Sequence, residues 1–476
     1  MSYIFQDFEK EYQVAPLDRN DVQNRKINEV LSGLFFNEPT VKRIANQFEK
    51  EMNLALNEKW SESSVLMENT YIPELPDGSE HGKFLALDLG GTNFRVLLMD
   101  LDNGKITNEV VKMYEIRSEL RVGGEDMAVA LFDHIGQCLC DFVEENDLVS
   151  VPLPLGFTFS FPMKQHSLDS ATLDAWAKSF NLPTVLGTDV VDRLRDSLHK
   201  LGHNHIEVVA ILNDTTGVLM QGTNLDKRTR IGIVFGTGSN AAYVEQADRV
   251  KHWEGKGRRG AKQVCIDIEW GAFGDKGSLD FIRTRFDDRL DETSLLPGGY
   301  TFEKYIGGKY LGELVRLVLD ELHQKKLAFQ NTPTNFVPKP WSFDTREIST
   351  IEEDTLNGTK HLTKEVLIEA GFKDLTDYDI MVCQHVAAVL SHRAALLVSI
   401  TTSVIMARLT CPDVTIAIDG SVYKNHPRMD AWLNRILTKL NSTKKIFRLM
   451  LAEDGSGKGA ALTAAIALKL ENKLIQ

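Results

Sequence analysis

The sequence predicts an α/β protein in which two sheet-containing domains face a shared cleft. Three observations predict it. Apolar, strand-like runs end three times in a turn of glycine and hydroxyl residues, at Gly90-Gly91-Thr92, Gly236-Thr237-Gly238 and Gly420-Ser421. Between residues 83 and 212 the pattern reads as three strands, helix, strand, helix, strand, a mixed sheet with helices against it. The pattern then restarts near residue 230, with no readable repeat of the residues themselves. A length of 476 residues accommodates two or three domains, or one large pair around a cleft.

The elements follow in order. The segment up to about Lys59 alternates charged and apolar residues at helical spacing. Residues 84–87, 95–100 and 109–117 read as strands, 126–145 as a helix, 153–160 as a strand, 189–201 as a helix and 206–212 as a strand. Residues 230–235 and 241–245 flank the second glycine turn, and 414–418 precede the third. Residues 331–364, rich in Pro, Thr, Asn and acidic side chains, read as a surface connection. Gly455-Ser456-Gly457-Lys458-Gly459 lacks the Walker A spacing and reads as a hinge or close-approach point before an alanine-rich helix, 460–470. The apolar stretch 394–407 is too short to span a bilayer and reads as a buried helix.

Composition narrows the partners. The net charge of −13 disfavours nucleic acid and anionic membranes, so neither is expected as a partner. The locally basic stretch 249–262 is punctuated by Gly255, Gly257 and Gly260 and reads as a solvated loop. Five cysteines without metal-ligand spacing fit a reducing compartment, and no side-chain metal site is expected. The first residues carry neither a basic region nor a long apolar core, so no signal or transit peptide is expected and the location is expected to be cytoplasmic.

At the first turn, Gly90 and Gly91 allow backbone N–H groups to converge beside Thr92, which suits a phosphate. Asp88 would repel a bare phosphate, which implies Mg²⁺ carried by a nucleotide and held through water. The plainer reading of the same residues is an ordinary tight hairpin. A second constellation suits a polyol. It comprises an aromatic-rich strand end, Gly156-Phe157-Thr158-Phe159-Ser160-Phe161, followed by Trp176 and Lys178, by Asn213-Asp214 at a strand end, and by Asn240, Glu269 and Glu303. Carboxylates and amides pair with vicinal hydroxyls, and aromatic neighbours exclude water and cover an apolar ring face. Asp214 is placed to act as a general base, and Lys178 to neutralise a transferring phosphoryl group. Singly, each has a plainer role as a cap, a turn or a solvated side chain. Their joint occurrence with three phosphate-type turns carries the reading.

These residues resemble the hexokinase family. Leu155 to Phe180 is similar to the family signature, Asp88 to Arg95 to its first phosphate motif, Gly236-Thr237-Gly238 to its second and Asp419-Gly420-Ser421-Val422-Tyr423-Lys424 to its adenosine motif. The resemblance covers nearly the whole chain and one catalytic unit. It implies a two-domain actin-like ATPase (ribonuclease H-like) fold, with 75–213 plus 456–476 as the small domain and 1–74 plus 214–455 as the large one. It implies transfer of a phosphoryl group from MgATP to the 6-hydroxyl of a hexose, with Mg²⁺ bound with the nucleotide and the protein a monomer or weak homodimer. It further implies Asp214 as base with Lys178 beside it. Ser160, Asn213, Asn240, Glu269 and Glu303 would hold the sugar. Asp88, Gly91, Thr92, Asn93, Arg95, Gly236, Thr237, Gly238, Asp419, Gly420 and Ser421 would hold the nucleotide.

The chain departs from the family pattern at Ala177, which lacks a hydroxyl, and at Gly299-Tyr300, where family members often carry two glutamines. One lost neutral hydrogen bond costs about 0.5–1.5 kcal/mol, so weaker sugar affinity or altered preference is expected, with the chemistry retained. A sugar-sensing regulator with weak catalysis is the alternative within the fold. A filament or machine ATPase is the alternative outside it, disfavoured by the sugar-type constellation.

Overall fold

The computed structural model describes residues 14–176, 179–253 and 260–475. Two helices open it. In α1 (Val22–Leu31) the Asp21 carboxylate caps the Asn24 N–H, and in α2 (Glu38–Leu56) Asn37 caps Thr40 with a proline in the first turn. A two-residue strand, β1 (Glu68–Asn69), follows.

The first sheet comprises β2 (Gly82–Leu89), β3 (Asn93–Asp102), β4 (Lys105–Glu115), β5 (Leu153–Phe159) and, after the short hairpin β6 (Met163–Ser167) and β7 (Ser170–Leu173), β8 (Ile206–Leu212). Its order is β4-β3-β2-β5-β8. The first three strands are antiparallel, and β2, β5 and β8 run parallel. Helices α3 (Glu125–Glu145) and α4 (Val190–Lys200) cover one face. Alternation along β2 is visible in the packing. Leu85, Leu87 and Leu89 meet α3 and α4, whereas Phe84 and Ala86 meet the carboxy-terminal helix. Both faces are covered, which explains why the strand reads as a continuous apolar run.

The second sheet repeats this plan. After α5 (Asp214–Leu225) come β9 (Thr229–Phe235), β10 (Ser239–Gln246) and β11 (Gln263–Asp267). Then follow helices α6 (Arg285–Thr293), α7 (Thr301–Ile306), α8 (Gly308–Gln324), α9 (Thr345–Asn357), α10 (His361–Glu369) and α11 (Asp377–Arg408). The chain closes with β12 (Asp413–Asp419), α12 (Ser421–Asn425), α13 (Met429–Leu440), β13 (Ile446–Leu451) and α14 (Gly455–Ile475). The order is β1-β11-β10-β9-β12-β13, with β11, β10 and β9 antiparallel and β9, β12 and β13 parallel. Three antiparallel strands joined to two parallel ones thus occur in both sheets, the duplication anticipated from the restarting pattern.

Helices α5 and α14 lie against each other, α5 on the second sheet and α14 on the first. Glycines make this approach possible. A Cβ on Gly459 would sit 2.1 Å from the Gly217 carbonyl oxygen, and one on Gly156 would sit 2.0 Å from the Ala460 carbonyl oxygen.

Four expectations need correction. Residues 331–364 are not only surface connection, because they contain all of α9 and the start of α10. A capping box formed by Asp344 and Glu347 starts α9. The glycines at 455, 457 and 459 do not form a loop ahead of a helix at 460, because α14 already begins at Gly455. Packing outweighs the helix-breaking tendency of glycine here. The expectation that the apolar stretch 394–407 is too short to span a bilayer fails, because it is part of a 32-residue helix long and apolar enough to do so; the reading as a buried helix holds, since 94% of its most apolar stretch is buried inside the protein. Finally, Phe157, Phe159 and Phe161 do not line a ligand face. Each is at most 1% exposed, packed in the core beneath the first sheet.

Candidate active site

The first glycine turn joins β2 and β3, so the hairpin reading and the phosphate reading describe the same residues. A Cβ on Gly90 or Gly91 would meet no protein atom within 4 Å, so the turn has open space above it. Asp88 ends inside β2 and Arg95 lies opposite it in register on β3. Arg95 Nε donates to Asp88 Oδ2 at 3.1 Å, and a second, shorter bond joins Nη2 to the same oxygen. Ser456 Oγ donates to that oxygen at 2.8 Å. Arg95 also reaches Asp454 Oδ1 at 2.9 Å and Ser456 Oγ at 2.9 Å. Arg95 is therefore committed to three partners that tie the turn to the start of α14. Thr92 and Asn93 lie exposed at the turn, with a 3.4 Å bond between their side chains.

The second and third turns meet. Gly420 has φ 115°, and a Cβ there would lie 2.6 Å from Gly236 N. The Gly236 and Thr237 carbonyls accept from the N–H groups of Gly308 and Lys309, which anchors the second turn to the start of α8. Asp419 accepts from Gly420 N at 2.7 Å and from Gly455 N at 3.3 Å, which links the third turn to α14. A cavity of about 860 Å³ opens beside both turns, lined by Thr237 and Ser421 together with Lys309, Trp341, Thr345 and Arg346. Two cations and an exposed aromatic around hydroxyl-bearing turns suit a nucleotide.

The sugar-side residues also converge. Asn213 caps α5, its Oδ1 accepting from Thr215 N at 3.0 Å, and Asp214 is the first helical residue. Thr215 Oγ1 donates to Asp214 at 3.2 Å. Ser160, buried just past β5, is held by its N–H on the Leu89 carbonyl, which brings it beside the first turn. Asn240 Nδ2 donates to Glu269 Oε1 and to Asp267 Oδ1, both at 2.8 Å. Glu303 on α7 accepts from Ser239 N at 3.0 Å, and a Cβ on Gly238 would fall 2.5 Å from its Oε2. Burial pushes the Glu269 carboxyl up to about 7, with hydrogen bonding from Asp267 opposing and the charges of Asp214 and Glu303 reinforcing the shift. Glu68 on β1 is likewise raised to about 7 by burial and then by Asp174 and Glu269. A cluster of acids in one cleft, with carboxyls displaced toward neutrality, marks a functional site.

Lys178 and Ala177 lie outside the described residues. Nearby, Trp176 donates to the Leu182 carbonyl at 2.8 Å and stacks on Phe180, so it belongs to the core. Tyr300 adopts φ 56°, its N–H held by Asp275 at 2.9 Å and its ring against Gly271. Sequence reasoning missed Asp267, Asp454, Ser456 and the 341–346 segment. Asp267 carried only a weak signal as an acid two residues before Glu269, because β11 ends at Asp267 and Glu269 turns left-handed at φ 55°.

Two sheets of one topology, with glycine turns from both ends of the chain drawn together and an acidic cleft beside them, define an actin-like ATPase fold. The chain belongs to the hexokinase family. The family's two models, both described as hexokinase, match residues 26–223 and 230–466. Hexokinase-2 of Rattus norvegicus is 38% identical over 468 residues, an alignment that covers 96% of this chain and 49% of that protein. Hexokinase-1 of Homo sapiens is 38% identical over 459 residues, covering 94% and 49%. The chain thus spans about half the length of these curated relatives. A solved hexokinase from Schistosoma mansoni, complexed with glucose, superposes with a TM-score of 0.83 at 35% identity, covering 93% of this chain and 98% of that one. A second hexokinase crystal structure gives 0.79 at 29% identity, covering 93% and 99%.

Proposed function

We propose that this chain is an ATP-dependent hexose 6-kinase that transfers the γ-phosphoryl of MgATP to the 6-hydroxyl of glucose or a related hexose, the entry reaction of glycolysis in a cytoplasmic setting. The observation that carries the reading is the position of Asp214. It stands at the start of α5, where its charge acts on Glu269 together with that of Glu303, and Asn240 donates to Glu269. In this reading Asp214 accepts the proton of the 6-hydroxyl as that oxygen bonds to the γ-phosphorus and the bond to the β-phosphate oxygen breaks. Ser160, Asn213, Asn240, Glu269 and Glu303 hold the sugar hydroxyls. The turns at 90–92, 236–238 and 420–421 hold the phosphates and ribose, and Lys178 adds positive charge near the transferring group.

The oxygen donors beside the turns fit nucleotide-borne Mg²⁺. Asp88 and Asp419 are single carboxylates, each already bonded within the protein. They suit water-mediated contact better than an all-protein cage. Among the described residues no cluster of three or more His, Cys, Asp or Glu side chains is arranged to hold a metal. When bound, the ion neutralises charge on the phosphate oxygens.

Water competes with the sugar as nucleophile, so exclusion of water matters. We infer that 75–213 with 456–476 closes against 1–74 with 214–455 when sugar binds. Small-angle scattering is expected to show compaction on addition of glucose, and an unchanged radius would sink the closure. Arg95→Ala is expected to raise KM for ATP about tenfold through loss of charged hydrogen bonds, with a smaller effect on KM for glucose. An equal rise in both constants would remove Arg95 from the nucleotide side. ADP formation tests the whole reading. Strong dependence on hexose supports the kinase, sugar-independent turnover points to a machine ATPase, and glucose binding without turnover points to a sensor.

A further inference from the structure

Asp267 has no part in the reaction above, yet it sits directly under it. It ends β11, opposite Ala242 of β10 and Glu68 of β1. It is 5% exposed. A single nitrogen, Nδ2 of Asn240, lies 2.8 Å from Asp267 Oδ1 and 2.8 Å from Glu269 Oε1. The amide cannot turn over, because its oxygen accepts the Ala241 N–H at 2.7 Å. The two carboxyl groups are also within hydrogen-bonding reach of each other. Two ionised carboxylates offer only acceptors, so such a contact requires a hydrogen on one of them.

The surroundings favour keeping that hydrogen. The charged groups acting on the pair are Asp214 at the start of α5 and Glu303 on α7, with Glu68 facing from β1. All are acids. Lys164 acts on Glu68, itself beside Asp174, and Tyr300 lies within the field of Glu269 and Glu303. Burial raises both carboxyls, and Asp267 is the more deeply placed of the two, 5% exposed where Glu269 is only half-buried. Glu269 therefore ionises first and Asp267 retains the hydrogen.

We propose that Asp267 is a positioning residue that stays protonated and donates its carboxyl hydrogen to Glu269, holding that carboxylate as an oriented acceptor for the sugar. The sugar part rests on the hexose-kinase reading, whereas the location of the hydrogen is a property of the protein without ligand. The pH dependence follows. A carboxyl with a raised value is neutral below that value and loses its hydrogen as pH climbs through it. Above that point Asp267 becomes an anion, its contact with Glu269 turns repulsive, and sugar affinity falls. An asparagine at 267 donates an N–H from the same place and does not titrate. An alanine donates nothing.

The test compares wild type, Asp267→Asn and Asp267→Ala by infrared spectroscopy without ligand and by glucose titration, from neutral to alkaline pH. The wild-type spectrum minus that of Asp267→Asn is expected to leave the C=O stretch of one protonated carboxyl at neutral pH, beyond what Glu68 and Glu269 contribute to both proteins. Asp267→Asn is expected to bind glucose like wild type at neutral pH and to keep its affinity at alkaline pH, where wild type weakens. Asp267→Ala is expected to bind about 10- to 100-fold more weakly at neutral pH. No Asp267-dependent carboxyl band, or the same alkaline loss of affinity in wild type and Asp267→Asn, overturns the proposal. A wild type that shows the band but binds no glucose upholds the placement of the hydrogen and sinks the sugar reading instead.

Discussion

Asp214→Ala is expected to lower hexose-dependent ADP formation by about 10²- to 10⁴-fold, the range that a positioned general base supplies. Glucose affinity is expected to change far less, because Asn240, Glu269 and Glu303 remain in place. The expectation follows from where the carboxylate stands. It occupies the first turn of α5, where the Asn213 cap fixes the backbone. Thr215 Oγ1 orients one of its oxygens. Asp214→Asn keeps the shape and the hydrogen bond but cannot take up a proton, so it is expected to fall nearly as far. Steady-state turnover with a coupled ADP assay, alongside glucose binding by fluorescence, separates the two effects. Equal turnover in wild type and Asp214→Ala would remove this residue as the base.

Gly459→Ala is expected to cost about 1–3 kcal/mol of stability even though alanine is the better helix former. The helix preference favours alanine by up to about 1 kcal/mol. The clash is worse. The new Cβ would lie 2.1 Å from the Gly217 carbonyl oxygen and 2.3 Å from its Cα, and backbone atoms cannot rotate away. Helices α5 and α14 would have to separate, and α5 carries Asp214 at its start, so kcat is expected to fall with stability. Gly457→Ala is the comparison. Its Cβ would meet the ends of the flexible Leu97 side chain, with the nearest atom at 2.9 Å, so a smaller loss is expected. Urea midpoints measure both, and a Gly459→Ala protein as stable as wild type would show that the helix contact yields.

The sequence made the strand–turn units legible because two constraints coincide there. Strands covered on both faces read as unbroken apolar runs, and the turns after them need glycine. Residues 206–212 were read with the observed bounds, and 153–160 ran only one residue past β5. The candidate carboxylates and amides were legible as residue types, and the fold brings Asp214, Asn240, Glu269 and Glu303 together. Helix α9 was obscured by its polar composition, although its Asp344–Glu347 capping box was present in the letters. Strand β13 was missed because it is an edge strand with little full burial. The aromatic run around Phe159 looked like a ligand surface because aromatic enrichment serves cores and binding faces alike. Ser456 was unreadable for another reason. Its bond to Asp88 spans 368 positions, and nothing local to either residue announces the other.

That same span bears on how the protein is made. One face of the first sheet, with Phe84, Ala86, Leu97 and Met99, is completed by residues 460–466 of α14. During synthesis the sheet strands leave the ribosome long before their covering helix does. At about 5–20 residues per second, the wait is roughly 20–70 s. Throughout it the nascent chain lacks the part of this cover that residues 460–466 supply, which leaves apolar surface open to chaperones and to aggregation. A helix that begins at residue 455 thus helps to complete a sheet whose first long strand begins at residue 82.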